Sequence, residues 1–408
     1  MAERRRLDRV VIVGASLAGI TAAESLRTRG YGGSITMVGA EHHRPYDRPP
    51  LSKRLLQGTW EADRTQLRSA EALAGLGLDW RLGQAAVALD PTTREIRLAD
   101  GGTVGYDAAL LCTGTTARQL PHPTPLRGIH TLRTLEDAVA IRAALDRAPR
   151  VAVVGGGFIG AEVAAEARRR GLAVTMLEAL PVPLSRGLGE RMGRLCADLH
   201  VRHGVDVRCG VTVRGFDGDA GRLSRVLLSD GTAVDADLAV VGIGSAPATD
   251  WLAGSGLLVD DGVVCDPFCR SSAPGVYAAG DVARWHNGLF GVQTRIEHWT
   301  NAREQAIAAV ATMLADHGAG GEPTPYSPVP YVWSDQYGSR IQVAGRPSPH
   351  VDAVRVVHRD DATDATVALY RDGDTLVGAL AINAPKLLLP YRRMIADRVR
   401  WEDALTAC

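Results

Sequence analysis

At 408 residues the chain is too long for one compact core, so it divides into two or three domains. Its 46% hydrophobic and 23% charged residues belong to a soluble globular protein. Basic and acidic residues balance at 46 each, which leaves no global field to attract nucleic acid or an anionic membrane, and no run approaches the ~20 apolar residues that span a bilayer.

The opening Met1-Ala2-Glu3-Arg4-Arg5-Arg6 and the apolar Val10-Val11-Ile12-Val13 follow the order of a secretion signal, but the apolar run meets Gly14 after a few residues. It reads as a first buried strand, in a cytoplasmic protein. Gly14-x-Ser16-x-x-Gly19 comes next, then a helical pattern through Arg29 and a second apolar strand from Ser34 to Val38. Strand, glycine turn, helix, strand is the unit of a doubly wound parallel sheet, and its turn receives a pyrophosphate. Ser16 stands where a second glycine normally permits close backbone approach; it is small and can hydrogen-bond a phosphate. Trp80 to Gly101 alternates apolar and polar residues as strands do, and Tyr106 to Gly114 is a short apolar strand ending in a glycine turn.

The unit then repeats. Val151-Ala152-Val153-Val154 leads into a complete Gly155-x-Gly157-x-x-Gly160, a helix through about Arg170 and a strand from Ala173 to Leu177. Two such units predict two dinucleotides. Glu178 ends the second strand, where a carboxylate accepts from adenosine ribose hydroxyls and repels a 2′-phosphate, so NADH is favoured over NADPH. Arg186 is the countersign, because a nearby arginine accommodates that phosphate in some sites. Further on, Gly275-Val276-Tyr277 runs into Ala278-Ala279-Gly280-Asp281. Asp281 is a ribityl hydrogen-bond acceptor or part of an ordinary turn. Six scattered cysteines (112, 196, 209, 265, 269 and 408) form no Cys-x-x-Cys pair, and Cys265-x-x-x-Cys269 lacks the further ligands of a metal or cluster site. Gly- and Pro-rich residues from His317 to Pro330 read as a linker. Beyond it lie strand-like runs at Arg340–Ala344, Ala353–His358, Thr366–Tyr370 and Leu376–Ile382, and a helix from about Ala384 to Val399.

Further stretches carry a resemblance: Pro45-Tyr46-Asp47-Arg48-Pro49-Pro50-Leu51-Ser52-Lys53, Leu132-Arg133-Thr134-Leu135-Glu136-Asp137-Ala138, Gly280-Asp281-Val282-Ala283, Glu297-His298-Trp299-x-Asn301-Ala302 and Tyr331-x-Trp333-Ser334-Asp335-Gln336. With the two turns, they resemble the FAD-dependent ferredoxin reductases of the putidaredoxin reductase type, within the glutathione-reductase-like flavoproteins, over nearly the whole chain. The resemblance implies an α/β fold of two Rossmann-like dinucleotide-binding domains plus a C-terminal α+β domain. The FAD domain spans 1–115 and 246–320, the NADH domain 116–245, and the C-terminal antiparallel sheet with its helix 321–408.

Carried over residue by residue, it implies that Gly14, Ala18, Arg48, Lys53, Ala86, Thr113, Gly114, Arg133, Asp281 and Trp299 line FAD. Glu41 is the candidate acid for its ribose, two positions later than Glu178 falls in the other unit. Gly157, Ile159, Glu162, Glu178, Arg186 and Gly244 contact NADH. Lys53 and Glu162 pair beside the flavin and nicotinamide rings, the lysine stabilising the charge that the flavin gains on reduction; the plainer alternative is a solvated lysine and a helix-surface glutamate. No cysteine precedes Cys112, so the dithiol and sulfenic-acid routes of related enzymes are excluded. Trp333 covers the flavin by resemblance; as a bare feature, a tryptophan in a strand is core packing. The expected chemistry is hydride from NADH to FAD, then single electrons to a 2Fe–2S ferredoxin serving an oxygenase such as a haem monooxygenase. Rubredoxin or oxygen as acceptor, or a non-enzymatic NADH-binding redox sensor, are the rival readings. Arg340, Arg392, Arg393 and Arg400 either steer an acidic ferredoxin or are solvated charge. The expected state is a monomer or weak homodimer.

Overall fold

The computed structural model describes residues 6–121, 125–347 and 353–407, so residues 1–5 of the opening segment and Cys408 lie outside the described residues. The chain forms two compact units, one of Met1–Asp47, Gln66–Thr116 and Ala246–Pro330, the other of Arg48–Thr65, Ala117–Ser245 and Tyr331–Cys408. The short segment carrying Ser52 and Lys53 thus packs with the second glycine turn.

In the first unit, strand Arg9–Val13 lies at the centre of a parallel sheet in the order Val276–Ala278, Ala108–Leu111, Arg9–Val13, Ser34–Gly39, Leu78–Leu82. Val10 through Val13 are buried on both faces, which explains the unbroken apolar run. Helix Leu17–Thr28 covers one face with Ala18, Ala22, Ala23 and Leu26, and helix Trp299–Asp316 joins that core through Ala302, Ala306, Ala309 and Met313. The alternating run from Trp80 to Gly101 divides in two. Its beginning belongs to Leu78–Leu82, the parallel edge strand, while Ala86–Asp90 and Glu95–Leu98 form an antiparallel sheet with Thr103–Gly105.

The second unit repeats the plan: Asp206–Cys209, Val174–Glu178, Val151–Val154, Leu238–Val241 and Ile129–Thr131, all parallel. Helix Phe158–Arg169 follows the turn and buries Ala161, Ala164 and Ala167 against this sheet. The same unit contains an antiparallel C-terminal sheet in the order Tyr331–Gln336, Ser339–Gly345, Thr375–Ile382, Ala365–Asp372, Ala353–Asp360. Helix Ser185–Arg202 packs Leu188, Met192 and Cys196 into one core with Ile341, Val343 and Leu380, and Tyr370 donates its hydroxyl proton to the Leu188 carbonyl at 3.0 Å. The expected C-terminal helix ends sooner, at Pro385–Ala396, and a second one follows at Trp401–Thr406. Arg398 between them has a positive φ that interrupts the helical path.

Candidate dinucleotide sites and a buried ion pair

Both glycine turns are shaped by carbonyl oxygens that leave no room for a Cβ. At Gly14 (φ +118°) a Cβ would lie 2.1 Å from the Cys112 carbonyl oxygen, and at Gly155 (φ +101°) 2.3 Å from that of Gly242. Gly19 and Gly160 approach the carbonyls of Gly14 and Gly155 equally closely, clamping each helix onto its turn. The N–H groups of Gly14 and Gly155 each donate to the second strand, to Val38 and Leu177, at 2.8 Å. Gly157 differs: a Cβ there meets nothing within 4 Å, so no contact within the chain requires its smallness. Ser16 occupies the equivalent place in the first turn. Ser16 and Gly157 are extended N-caps, beyond which the helix N–H groups are presented to an anion. These residues fit a dinucleotide diphosphate in each unit.

The acids differ between the turns. Val154 pairs with Leu177, and Val13 with Val38, so Glu178 and Gly39 occupy equivalent positions one residue further on. Glu178 accepts from the Gly156 N–H at 2.7 Å and the Leu180 N–H at 2.8 Å, which fixes its carboxylate at the turn with lone pairs to spare. Gly39 carries no side chain because a Cβ would press on Ala15 at 2.8 Å. Glu41 lies two positions on, where the Tyr46 hydroxyl donates to it at 2.5 Å. Ile159 is 43% exposed in the first turn of its helix, Arg186 is exposed in the first turn of helix Ser185–Arg202, and Gly244 has φ +103°.

Within the first unit, the Thr113 hydroxyl donates to the Ala248 carbonyl at 2.9 Å, and Gly114 turns with φ +68°. Ala86 opens its strand. Trp299 Nε1 donates to Asp47 at 2.8 Å. Gly280 to Val282 form a 3-10 turn whose first N–H donates to the buried Gln305 of helix Trp299–Asp316, which anchors the backbone that carries Asp281. Arg48 and Arg133 fall in the second unit; the Arg48 carbonyl accepts from Leu51 N–H, and the Arg133 N–H donates to Asp137 at 2.8 Å.

The second unit also brings Lys53 and Glu162 together. Lys53 Nζ lies 2.8 Å from Glu162 Oε1, with 14% and 3% of the two side chains exposed. This is a buried charge pair, and the plainer reading of a solvated lysine and a helix-surface glutamate is corrected. Ser52 donates to Glu162 Oε2, and Ser334 to Oε1 at 2.6 Å. Both hydroxyls were overlooked in the sequence, although Ser52 and Ser334 stand in the Arg-Pro-Pro-Leu-Ser-Lys and Trp-Ser-Asp-Gln stretches. A compositional signal was present too: Lys53 is one of only two lysines, the other being Lys386, in a chain that otherwise uses arginine.

The thiols do not compete for this chemistry. Cys112, Cys196, Cys265 and Cys269 are buried and unbridged; burial pushes Cys196 and Cys265 up to about 12 and raises Cys112 and Cys269 as well, which suppresses the thiolate. Among the described residues no group of three or more His, Cys, Asp or Glu is placed to hold a metal ion, and no helix is long and apolar enough to cross a membrane.

Two doubly wound units, each with a dinucleotide turn, define a pyridine-nucleotide flavoprotein. Residues 8–306 match the family described as pyridine nucleotide-disulphide oxidoreductase, and 331–407 match the reductase C-terminal family. The chain belongs to the pyridine nucleotide-disulphide oxidoreductase family. It is 38% identical to the ferredoxin–NAD(+) reductase component of the biphenyl dioxygenase system of Paraburkholderia xenovorans, over 96% of this chain and 94% of that one. It is 35% identical to putidaredoxin reductase of Pseudomonas putida, over 98% and 94%. Its fold matches a solved covalent putidaredoxin reductase–putidaredoxin complex with a TM-score of 0.90 at 34% identity, over 97% and 94%.

Proposed function

We propose that the chain is an FAD-containing, NADH-dependent reductase of a 2Fe–2S ferredoxin that serves an oxygenase such as a haem monooxygenase. The observation that carries this reading is a chain-length likeness to reductase components of oxygenase systems, in a chain that keeps both dinucleotide turns. Bound FAD supplies the chemistry, taking a hydride from NADH and passing electrons on singly. Gly14, Ser16, Ala18, Gly19, Glu41, Arg48, Ala86, Thr113, Gly114, Arg133, Asp281 and Trp299 hold FAD. Gly155, Gly157, Ile159, Gly160, Glu178, Arg186 and Gly244 hold NADH. Lys53 supplies positive charge for reduced flavin, and Glu162 offsets it in the oxidised state. In functional terms the FAD domain is 1–115 with 246–320, the NADH domain 116–245 and the C-terminal domain 321–408. We place the protein in the cytoplasm, where its free thiols and NADH belong, as a monomer or weak homodimer.

Glu178 sets the nucleotide preference. Glu178→Ala is expected to lower kcat/KM for NADH about tenfold, through the lost ribose hydrogen bonds, and to raise that for NADPH. Steady-state kinetics with both nucleotides check this; an unchanged ratio contradicts the assignment.

Arg340 lies over the Trp333 ring at 5.9 Å and Arg392 over Tyr331 at 5.3 Å, a cationic and aromatic surface suited to an acidic protein, with Arg393 exposed nearby in sequence. Arg400 is engaged by Asp374 at 2.9 Å. Ferredoxin reduction is expected to slow about tenfold between about 0.01 M and about 0.3 M salt. A flat response removes steering from the account. The test of the function itself is anaerobic titration with NADH, followed by a panel of purified acceptors. Rapid reduction of a 2Fe–2S ferredoxin supports the proposal, whereas turnover with rubredoxin or oxygen alone, or none at all, replaces it with another reductase, an oxidase or a sensor.

A further inference from the structure

Glu162 stands at the end of a buried polar chain that the proposed reaction does not use. Ser334 is fully buried; its hydroxyl donates its single proton to Glu162 Oε1 at 2.6 Å and accepts from Gln336 Nε2 at 3.1 Å. The order of donors points the Gln336 nitrogen at Ser334 and its carbonyl away. Beyond it lies His200, also fully buried, with Nδ1 2.8 Å from the Tyr337 hydroxyl; the Tyr337 ring stacks on His203 at 3.9 Å. His200 Nε2 and Gln336 Oε1 are buried without a partner in hydrogen-bond geometry. Burial pulls the His200 imidazole down to about 4, opposed by the adjacent Gln336 side chain. The donors of Gln336 and Ser334 both point toward Glu162.

We propose that Ser334, backed by Gln336, is a positioning residue that aims the Glu162 carboxylate at Lys53, so that the first strand of the C-terminal sheet governs how tightly the ammonium is held. This rests on the reading that Lys53 and Glu162 serve the flavin. The carboxylate accepts from Ser52 on one oxygen and from Ser334 and Lys53 on the other. Without Ser334, Lys53 alone restrains Oε1, and rotation of the carboxylate loosens the ion pair.

Because Lys53 and Lys386 are the only lysines, a limiting acetylating reagent applied to the oxidised holoprotein gives a two-site readout by mass spectrometry, with the exposed Lys386 as internal reference. Ser334→Ala is expected to raise the Lys53-to-Lys386 labelling ratio about tenfold, as loss of a hydrogen bond to a charged group predicts, and to shift the flavin midpoint potential. Ser334→Thr, which retains a hydroxyl, is expected to restore both. An unchanged ratio in Ser334→Ala overturns the proposal. So does a raised ratio that Ser334→Thr leaves raised, since that marks disturbed packing and not a missing hydroxyl. If Ser334→Ala does not fold, Gln336→Met removes the donor behind Ser334 and is read by the same ratio: a rise upholds the proposal and an unchanged value overturns it. A raised ratio in Ser334→Ala, with the flavin potential unmoved both in that variant and in Lys53→Met, upholds the clamp and removes the flavin role beneath it.

Discussion

Gly14→Ala is expected to give a protein that retains no FAD and loses about 4 kcal/mol or more of stability. Two costs combine at one atom. The added Cβ would lie 2.1 Å from the Cys112 carbonyl oxygen, in a backbone conformation of φ +118° that L-residues rarely adopt. Overpacking and backbone strain each cost about 1–3 kcal/mol, and here neither relieves the other, because the carbonyl belongs to the chain just beyond the adjoining strand. The Gly14 N–H bond to Val38 would be pushed out of place, and the helix N-terminus with it. Flavin absorbance of the purified protein and its thermal midpoint report both effects. Gly157→Ala is the matched comparison. It has room for a Cβ and an ordinary φ of −73°, so stability is expected to change by less than about 0.5 kcal/mol, while the KM for NADH rises about tenfold. Retention of FAD by Gly14→Ala would refute the first turn as its site.

Lys53→Met is expected to slow flavin reduction by NADH at least about 100-fold and to lower the flavin midpoint potential by about 30 mV or more. Methionine keeps much of the lysine's length and removes its charge. The variant also leaves Glu162, 3% exposed, with hydroxyl donors but no cation, and removing one partner of a buried pair costs about 3–5 kcal/mol. Stability and rate therefore fall together, and a second variant separates them. Lys53→Met with Glu162→Gln replaces the ion pair by neutral groups; most of the stability is expected to return while the reduction rate stays low. Stopped-flow bleaching of the flavin, potentiometry and thermal unfolding provide the three readouts. An unaltered rate and potential in Lys53→Met would leave the pair a purely structural feature.

The two glycine turns were legible because their signal is local. Four glycines, Gly14, Gly19, Gly155 and Gly160, meet carbonyl oxygens so closely that no other residue fits, and the strands beside them are apolar because both faces are covered. The acids were half legible. Glu178 sits where the spacing put it, whereas the equivalent place in the first turn belongs to Gly39, with Glu41 beyond it beside Tyr46. The alternation from Trp80 to Gly101 showed strand but not membership in two sheets, since period two is the same in a parallel edge and an antiparallel hairpin.

Glu162 shows where local reading stops. Its place near the start of a helix was plain from residue order, and so was its family resemblance. Its burial was not, because that depends on Ser52 and Ser334, which stand 110 and 172 positions away along the chain. The order of residues by itself determined two dinucleotide folds, their turns and an arginine-rich chain with two lysines. Tertiary structure alone decided that one of those lysines and this glutamate would share a site shielded from water. Backbone geometry is dictated within a few residues, whereas desolvation depends on whatever the rest of the fold brings alongside.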